Sequence, residues 1–218
     1  MITSNILKRV LHVKYKNNIG SAFTIDLQNK QFLVSARHIF EELIWQDTIE
    51  IMQNEVWKPL YLSPIFCENG VDIIVFPLSE RLTPAEPLDV TMDGMTISQD
   101  AYFLWFPYGL RTELGDQNNY YPFPFVKKCS VSAFDFSSTP KVIFLDGHNN
   151  KGFSWWPLVF SNPTTHKLQV AGVISSYVRD LDQEKIERGI SENSGIFQAH
   201  SIVHVTDKIN RSGNNIFM

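Results

Sequence analysis

The sequence has 218 residues, of which 44% are hydrophobic, 13% aromatic and 19% charged. This length suits one large domain or two small ones on a common core, and the composition excludes an intrinsically disordered chain. The net charge of −4, without a basic run, excludes a general attraction to nucleic acid or to anionic membranes.

The N-terminal segment MITSNILKRV has neither a long apolar core nor a small-residue cleavage site, so it is not expected to be a secretory signal. No segment approaches the roughly 20 apolar residues of a membrane span. The sequence therefore predicts a cytoplasmic protein without a membrane partner. Two cysteines, Cys67 and Cys129, are too few for a disulfide-stapled secreted domain, and both are expected to be buried free thiols.

Short strand-like runs dominate the first half, at 5–15, 21–27, 31–36, 47–53, 56–62 and 72–78. The turn-like Gln28-Asn29-Lys30 predicts a hairpin between the second and third runs. Many strands at short spacing indicate a barrel or a sandwich. The segment from 79 to 93 holds Pro84, Pro87 and several charges without a clear period, which is typical of a linker. The predicted boundaries are an N-terminal barrel at 1–82 and a linker at 83–96.

A second strand-rich half, 97–218, follows, with runs at 97–106, 123–136, 141–145, 156–161, 168–176 and 195–200. The interior segment 180–189 is either a helix or an exposed loop. At the end of the chain, apolar residues at Ile202, Val203, Val205 and Ile209 predict a short amphipathic helix.

Three polar residues stand at the ends of these runs in a combination that suits acyl transfer. His38 ends a strand-like run, Asp72 precedes an apolar run, and Ser154 follows a glycine-bearing loop. A serine hydroxyl becomes a good nucleophile when a histidine takes its proton and a carboxylate orients that histidine. The order His, Asp, Ser differs from that of α/β-hydrolases and of subtilisin-type enzymes.

Six segments in chain order strengthen this interpretation. They are G-S-A-F-T-I with L-V-S-A-R-H (20–25 and 33–38), V-D-I-I-V-F (71–76), F-P-Y-G-L (106–110), D-G-H-N-N-K-G-F-S (146–154), Q-V-A-G-V-I-S-S (169–176), and S-G-I-F (194–197) with the following V-H-V-T-D-K-I. Together they make the chain resemble a trypsin-like (chymotrypsin-fold) serine protease, more similar to bacterial HtrA-type catalytic domains than to digestive trypsin.

The resemblance implies an all-β fold of two six-stranded antiparallel β-barrels with a short C-terminal α-helix. It implies that His38 and Asp72 come from the first barrel and Ser154 from the second, and that Gly152 and Ser154 supply the oxyanion-hole N–H groups. A protein or peptide is the implied substrate, and no cofactor or metal is needed. No I-V-G-G stretch is present, so the resemblance implies regulation by a partner protein or by loop ordering.

The chain departs from the family after the serine, where Trp155 and Trp156 replace two glycines. Each indole brings roughly 150–250 Å² of surface that seeks burial. The indoles could turn away and leave a working enzyme, or one could fill the cleft. The second outcome predicts a pseudoprotease that acts as a protein-binding module. An esterase on the same site is a third alternative.

The resemblance also implies a candidate substrate pocket. Its members are His148, Ser175, Ser176, Tyr177, Trp155 and Trp156. His148 falls where the family has the base of its specificity pocket, although a solvent-facing loop histidine fits the sequence as well.

His200 and His204 are spaced i, i+4, a spacing that binds zinc when both lie on one helix. No third ligand is suitably spaced, so the sequence favours two unrelated histidines at a strand-to-helix junction. No metal site is predicted.

Overall fold

A computed structural model describes residues 1–40, 42–43, 47–84, 86–107, 110–112, 115–147, 156–179 and 193–212, with the backbone alone at 177, 179 and 193. The predictions for 180–189, and for the segment 148–155 with its serine, lie outside these residues.

The first half of the chain forms a seven-stranded sheet in the order β5-β4-β1-β2-β3-β7-β6. It is preceded by a five-residue helix, α1. The elements are α1 (Ser4–Lys8), β1 (Val10–Tyr15), β2 (Asn18–Leu27), β3 (Lys30–Ser35), a 3-10 helix (Arg37–Phe40), β4 (Thr48–Gln53), β5 (Val56–Tyr61), β6 (Ile65–Phe66) and β7 (Ile74–Pro77).

Two hairpins in this sheet have turns whose residues suit their backbone. Gln28 and Asn29 join β2 to β3 with φ of 51° and 61°, and Asn54 and Glu55 join β4 to β5 with φ of 53° and 60°. Consecutive positive φ values give the turn type whose twist matches that of paired strands, and asparagine tolerates this conformation. The predicted hairpin around Asn29 is confirmed.

The second half forms a closed six-stranded barrel. Its strands follow the order β12-β9-β10-β11-β14-β13, and β12 pairs again with β13 to close the ring. The short strand β8 adds to β13 in parallel. The elements are β8 (Asp89–Val90), β9 (Asp100–Trp105), a 3-10 helix (Gly115–Asn118), β10 (Phe125–Asp135), β11 (Val142–Asp146), β12 (Pro157–Ser161), β13 (Leu168–Arg179), β14 (Asn193–Ser201) and the helix α2 (Val203–Ser212).

The predicted all-β class and the C-terminal helix are confirmed. The first sheet differs in detail from the predicted six-stranded barrel, because it has seven strands and no ladder among the described residues closes it. The run predicted as a strand at 5–15 begins as α1. The segment predicted as a linker contains β8, whose backbone pairs with β13.

In the part of the chain that the structure describes, the core has three parts. One apolar cluster consists mainly of residues of the first half, and a second consists mainly of residues of the closed barrel. A third joins the two halves, because it combines Phe23 and Val75 of the first with Leu104 and Val159 of the second. Ile209 of α2 packs into this shared cluster. The residues that hold the two halves together therefore include the C-terminal helix.

Both cysteines are buried and free, as predicted. Burial raises the pKa of Cys67 and of Cys129 to about 12, so both remain thiols at neutral pH. Within the described ranges, no helix has the length and apolar character needed to cross a membrane.

Candidate active site

His38 lies in the 3-10 helix that follows β3. The next two residues, Ile39 and Phe40, are buried and anchor this turn in the core of the first sheet. His38 itself keeps 39% of its side chain exposed. The local sequence therefore places two apolar anchors beneath a histidine that remains accessible.

Asp72 lies in the loop between β6 and β7. This loop is closed by a hydrogen bond from the Val71 N–H to the Glu68 carbonyl and contains Gly70 at φ 85°. A left-handed conformation of this kind suits glycine, which has no Cβ to strain. Asp72 lies at the end of this loop, two residues before β7 begins at Ile74 and next to the buried Ile73.

His38 and Asp72 meet through two hydrogen bonds. The carboxylate oxygen Oδ2 lies 2.9 Å from the imidazole Nδ1, and Oδ1 accepts the backbone N–H of His38 at 3.1 Å. The backbone carbonyl of Asp72 also accepts the N–H of Arg37 at 3.4 Å. An imidazole that donates Nδ1–H to a carboxylate has Nε2 as the nitrogen that can accept a proton, which is the tautomer that a general base needs.

His200 and His204 contact the same loop that carries Asp72. His200 Nδ1 accepts the backbone N–H of Asp72 at 3.3 Å, and His204 Nδ1 lies 3.0 Å from Glu68 Oε1. The predicted strand-to-helix junction is confirmed, and each of the two histidines has its own partner in this loop. These partners lie about 130 residues earlier in the chain, which the i, i+4 spacing alone cannot reveal.

The side chain of Trp156 is buried, with 2% of its surface exposed. Its indole stacks on Trp105 at 5.2 Å between ring centroids and on Phe103 at 5.8 Å. The indole Nε1–H donates to Ser21 Oγ at 3.0 Å, so a residue of the second barrel is bonded to β2 of the first sheet. The indole of Trp156 is therefore enclosed by the protein, between the closed barrel and β2.

Of the remaining predicted site residues, the structure describes some and not others. Ser175 on β13 is buried and its hydroxyl donates to the Gln198 carbonyl at 3.3 Å, whereas Ser176 is exposed. The backbone of Tyr177 continues β13. The positions outside the described residues are His148, Gly152, Ser154 and Trp155.

A surface cavity of about 220 Å³ opens beside His38. Its other lining residues are Tyr15, Lys16, Asn17, Asn18 and Glu42. Lys16 and Glu42 form an exposed ion pair at 2.8 Å across it. The accessible side of the histidine therefore faces a polar depression formed by the β1–β2 turn and the segment after the 3-10 helix.

No protein-family model matches the sequence, and no curated protein matches it either. Solved structures do match. The HtrA-type protease AlgW, solved with a tripeptide, has a TM-score of 0.64 and 17% identity, and the match covers 96% of this chain and 62% of AlgW. The Rv3671c protease from M. tuberculosis in its active form has a TM-score of 0.61 and 13% identity, with 95% and 82% covered.

These matches cover nearly the whole chain at low sequence identity, so they establish its fold. This chain spans less than two thirds of AlgW. The fold that the sequence resemblance implied, that of the trypsin-like, HtrA-type serine proteases, is therefore confirmed.

Proposed function

We propose that this protein is a serine endopeptidase with His38 as general base, Asp72 as its orienting carboxylate and Ser154 as nucleophile. The observation that carries the proposal is the double hydrogen bond between His38 and Asp72. It occurs in a fold shared with proteases, and the two residues come from separate loops of the first sheet. An ion pair formed by chance between surface side chains would not be expected to include a second hydrogen bond from the backbone N–H of the histidine.

The proposed reaction proceeds through an acyl-enzyme. Ser154 Oγ attacks the scissile carbonyl carbon while His38 Nε2 takes the hydroxyl proton. The backbone N–H groups of Gly152 and Ser154 stabilise the oxyanion. His38 then gives its proton to the leaving amine as the C–N bond breaks, and a water molecule releases the acyl group by the same steps in reverse order. The Asp72 carboxylate stabilises the imidazolium formed in between.

The cavity beside His38 supports an assignment for the leaving-group side of the substrate. The general acid must lie next to the departing amine, so the residues that follow the cleaved bond would extend toward Lys16 and Glu42. On the acyl side we propose the edge of β13 at Ser175, Ser176 and Tyr177, with His148, Trp155 and Trp156 as further pocket residues.

The alternative of a pseudoprotease depended on the tryptophan pair. Because Trp156 is packed among Trp105 and Phe103, Trp155 is the member of the pair on which that alternative now depends. If Trp155 blocks catalysis, Trp155→Gly will react with an active-site label that the parent does not bind.

A fluorophosphonate label tests the proposal directly. It should attach to Ser154 with loss of fluoride, and Ser154→Ala should remain unlabelled. Asp72→Asn removes the carboxylate and should slow labelling by roughly 10³- to 10⁴-fold, as expected for a triad that has lost the orienting charge. Peptide-library cleavage by the parent should show the same dependence. Absence of both labelling and cleavage in the parent would overturn the proposal.

A further inference from the structure

The loop that carries Asp72 is held from one side by the first sheet and from the other by the C-terminal end of the chain. On the first side, His38 and Arg37 bond to Asp72. On the other side lie His200, at the end of β14, and His204, in the first turn of α2. Both histidine side chains are buried, with 6% and 3% exposed.

His204 fixes the start of the loop. Its Nε2 accepts the Lys141 backbone N–H at 2.9 Å, so in the neutral ring Nδ1 carries the proton and donates it to Glu68 Oε1. The Cys67 thiol donates to the backbone carbonyl of His204 at 3.7 Å. Burial acts to raise the pKa of Glu68, but hydrogen bonds to its own backbone and to His204 outweigh it, so that pKa lies below its ordinary value.

His200 fixes the end of the loop at Asp72 itself. The Asp72 N–H points at His200 Nδ1, and this contact requires an unprotonated nitrogen. Burial lowers the pKa of His200 to about 4, so the ring is neutral at physiological pH and can serve as the acceptor. A partly buried backbone N–H without such an acceptor would destabilise this position of Asp72.

These contacts surround one residue. The carbonyl and both carboxylate oxygens of Asp72 are bonded to Arg37 and His38, and its N–H is bonded to His200. A rotation of the Asp72 backbone would move the carboxylate relative to the His38 ring. His200 opposes that rotation, although it touches neither His38 nor the substrate in the proposed mechanism.

We propose that His200 is a positioning residue of the active site, which holds the Asp72 backbone through its unprotonated Nδ1 and so keeps the carboxylate aligned with His38. This inference rests on the proposed protease function. It gives His200, a residue of the closed barrel, a role in aligning His38 with Asp72, which belong to the first half.

A matched pair of variants tests the proposal. In His200→Asn, the side-chain oxygen can replace Nδ1 as acceptor for the Asp72 N–H, whereas His200→Leu has similar volume and no acceptor. We expect the leucine variant to lose roughly 10- to 100-fold in kcat or in the fluorophosphonate labelling rate with KM unchanged, because small displacements of catalytic groups have effects of this size. The asparagine variant should stay within about threefold of the parent.

Nitrogen-15 NMR of the histidine rings gives a readout that does not depend on activity. In the parent, His200 should show an unprotonated Nδ1, and His38 should show a protonated Nδ1 bonded to a carboxylate. The His38 signal should change in His200→Leu and persist in His200→Asn. If the parent shows these signals but no labelling at Ser154, the protease proposal fails while the positioning role stands.

Three results would overturn the positioning role. The first is a parent His200 with its proton on Nδ1, which decides the matter even if the leucine variant does not fold. The second is equal behaviour of both variants and the parent. The third is equal loss in both variants, which would mean that His200 contributes packing alone.

Discussion

Trp156 is a single residue whose burial connects the two halves of the molecule. Its ring stacks within the second barrel and its Nε1–H reaches Ser21 on β2. Trp156→Ala should therefore lower the free energy of unfolding by about 3–5 kcal/mol, because it leaves a large cavity and removes a buried hydrogen bond. Urea denaturation measures this loss.

Trp156→Phe is the matched control, since it keeps an aromatic ring and loses the donor to Ser21. We expect a loss of about 1–2 kcal/mol from it. A loss below about 1 kcal/mol for Trp156→Ala would contradict the buried position. A double variant with glycine at positions 155 and 156 would lose stability through the cavity left at Trp156, and this loss would mask a gain of activity. Trp155→Gly alone is therefore the variant that tests activity.

His12 on β1 is a buried imidazole with an unusual environment. It is 3% exposed, neither ring nitrogen has a hydrogen-bond partner among the described residues, and the ring packs against Phe106 at 4.8 Å and Trp57 at 5.1 Å. Because desolvated polar atoms without partners destabilise the folded state, His12→Leu should stabilise the protein by about 1 kcal/mol at pH 7. The urea midpoint would report this gain.

His166, which is exposed at φ 57°, offers a control for that experiment. His166→Asn keeps a residue that tolerates the left-handed backbone and should change stability by less than about 0.5 kcal/mol. Destabilisation by His12→Leu would mean that the imidazole nitrogens are satisfied after all.

The sequence predicted the pairing of His38 with Asp72 through residue order and family-like motifs, and the geometry brings these two residues together. It did not predict the inward position of Trp156, because the glycines of the family pattern offer no guide to where a large ring can pack. Nor did it predict the use of His200, whose partner is a backbone N–H. Backbone groups leave no signature in a list of residue types.

At the scale of elements, the junction of β13 with β14 leaves no space at Gly172. A Cβ on this glycine would lie 2.6 Å from the His200 carbonyl oxygen and 3.5 Å from the Ala199 Cβ. Because the closer atom belongs to the backbone, this steric clash can be removed only by a shift of β14. Gly172→Ala should thus cost about 2–3 kcal/mol in urea denaturation and, through the displacement of His200, also reduce labelling of Ser154.

Gly195, which lies on β14, separates steric from conformational effects. A Cβ there meets no described atom within 4 Å, but the residue has φ 82°. Gly195→Ala should cost about 1 kcal/mol through backbone strain alone. If the two alanine variants are equally stable, close packing at Gly172 is not the reason for its glycine.

Strand prediction succeeded where alternation and turn residues agreed, as at the β2–β3 hairpin. It failed at the start of the predicted run 5–15, because Arg9 alone separates the short helix α1 from β1 and the apolar residues of both elements resemble a single strand. β8 was missed because two residues carry no period, and its parallel partner β13 lies about 80 residues later in the sequence. Such pairings depend on tertiary packing, which local patterns do not encode.

At the scale of the whole molecule, the shared core and the histidines of the C-terminal end link the two halves. The cluster that joins them contains residues of both sheets and of α2. His200 connects the end of β14 to Asp72, and Trp156 connects the second barrel to β2. Alignment of His38 with Asp72 therefore depends on the folding of both halves, although the two residues belong to the first.

The burial of His12 and His200 makes the free energy of unfolding depend on pH. The pKa of His12 is lowered to about 4 by burial and by the nearby Arg111 charge, and that of His200 to about 4 mainly by burial. In the unfolded chain both rings titrate near 6.5. Between pH 4 and pH 6.5 the unfolded chain binds more protons than the folded protein does. The free energy of unfolding therefore has its full value above about pH 6.5 and decreases as the pH falls toward 4.

Each ring should contribute on the order of 3 kcal/mol to this loss across the window. Urea denaturation between pH 7 and pH 4.5 should show the decline above the range in which carboxylates titrate. The double variant His12→Leu with His200→Asn should show a much flatter profile. An unchanged slope in the double variant would contradict the assignment, because the protons that separate the folded from the unfolded state would then bind elsewhere.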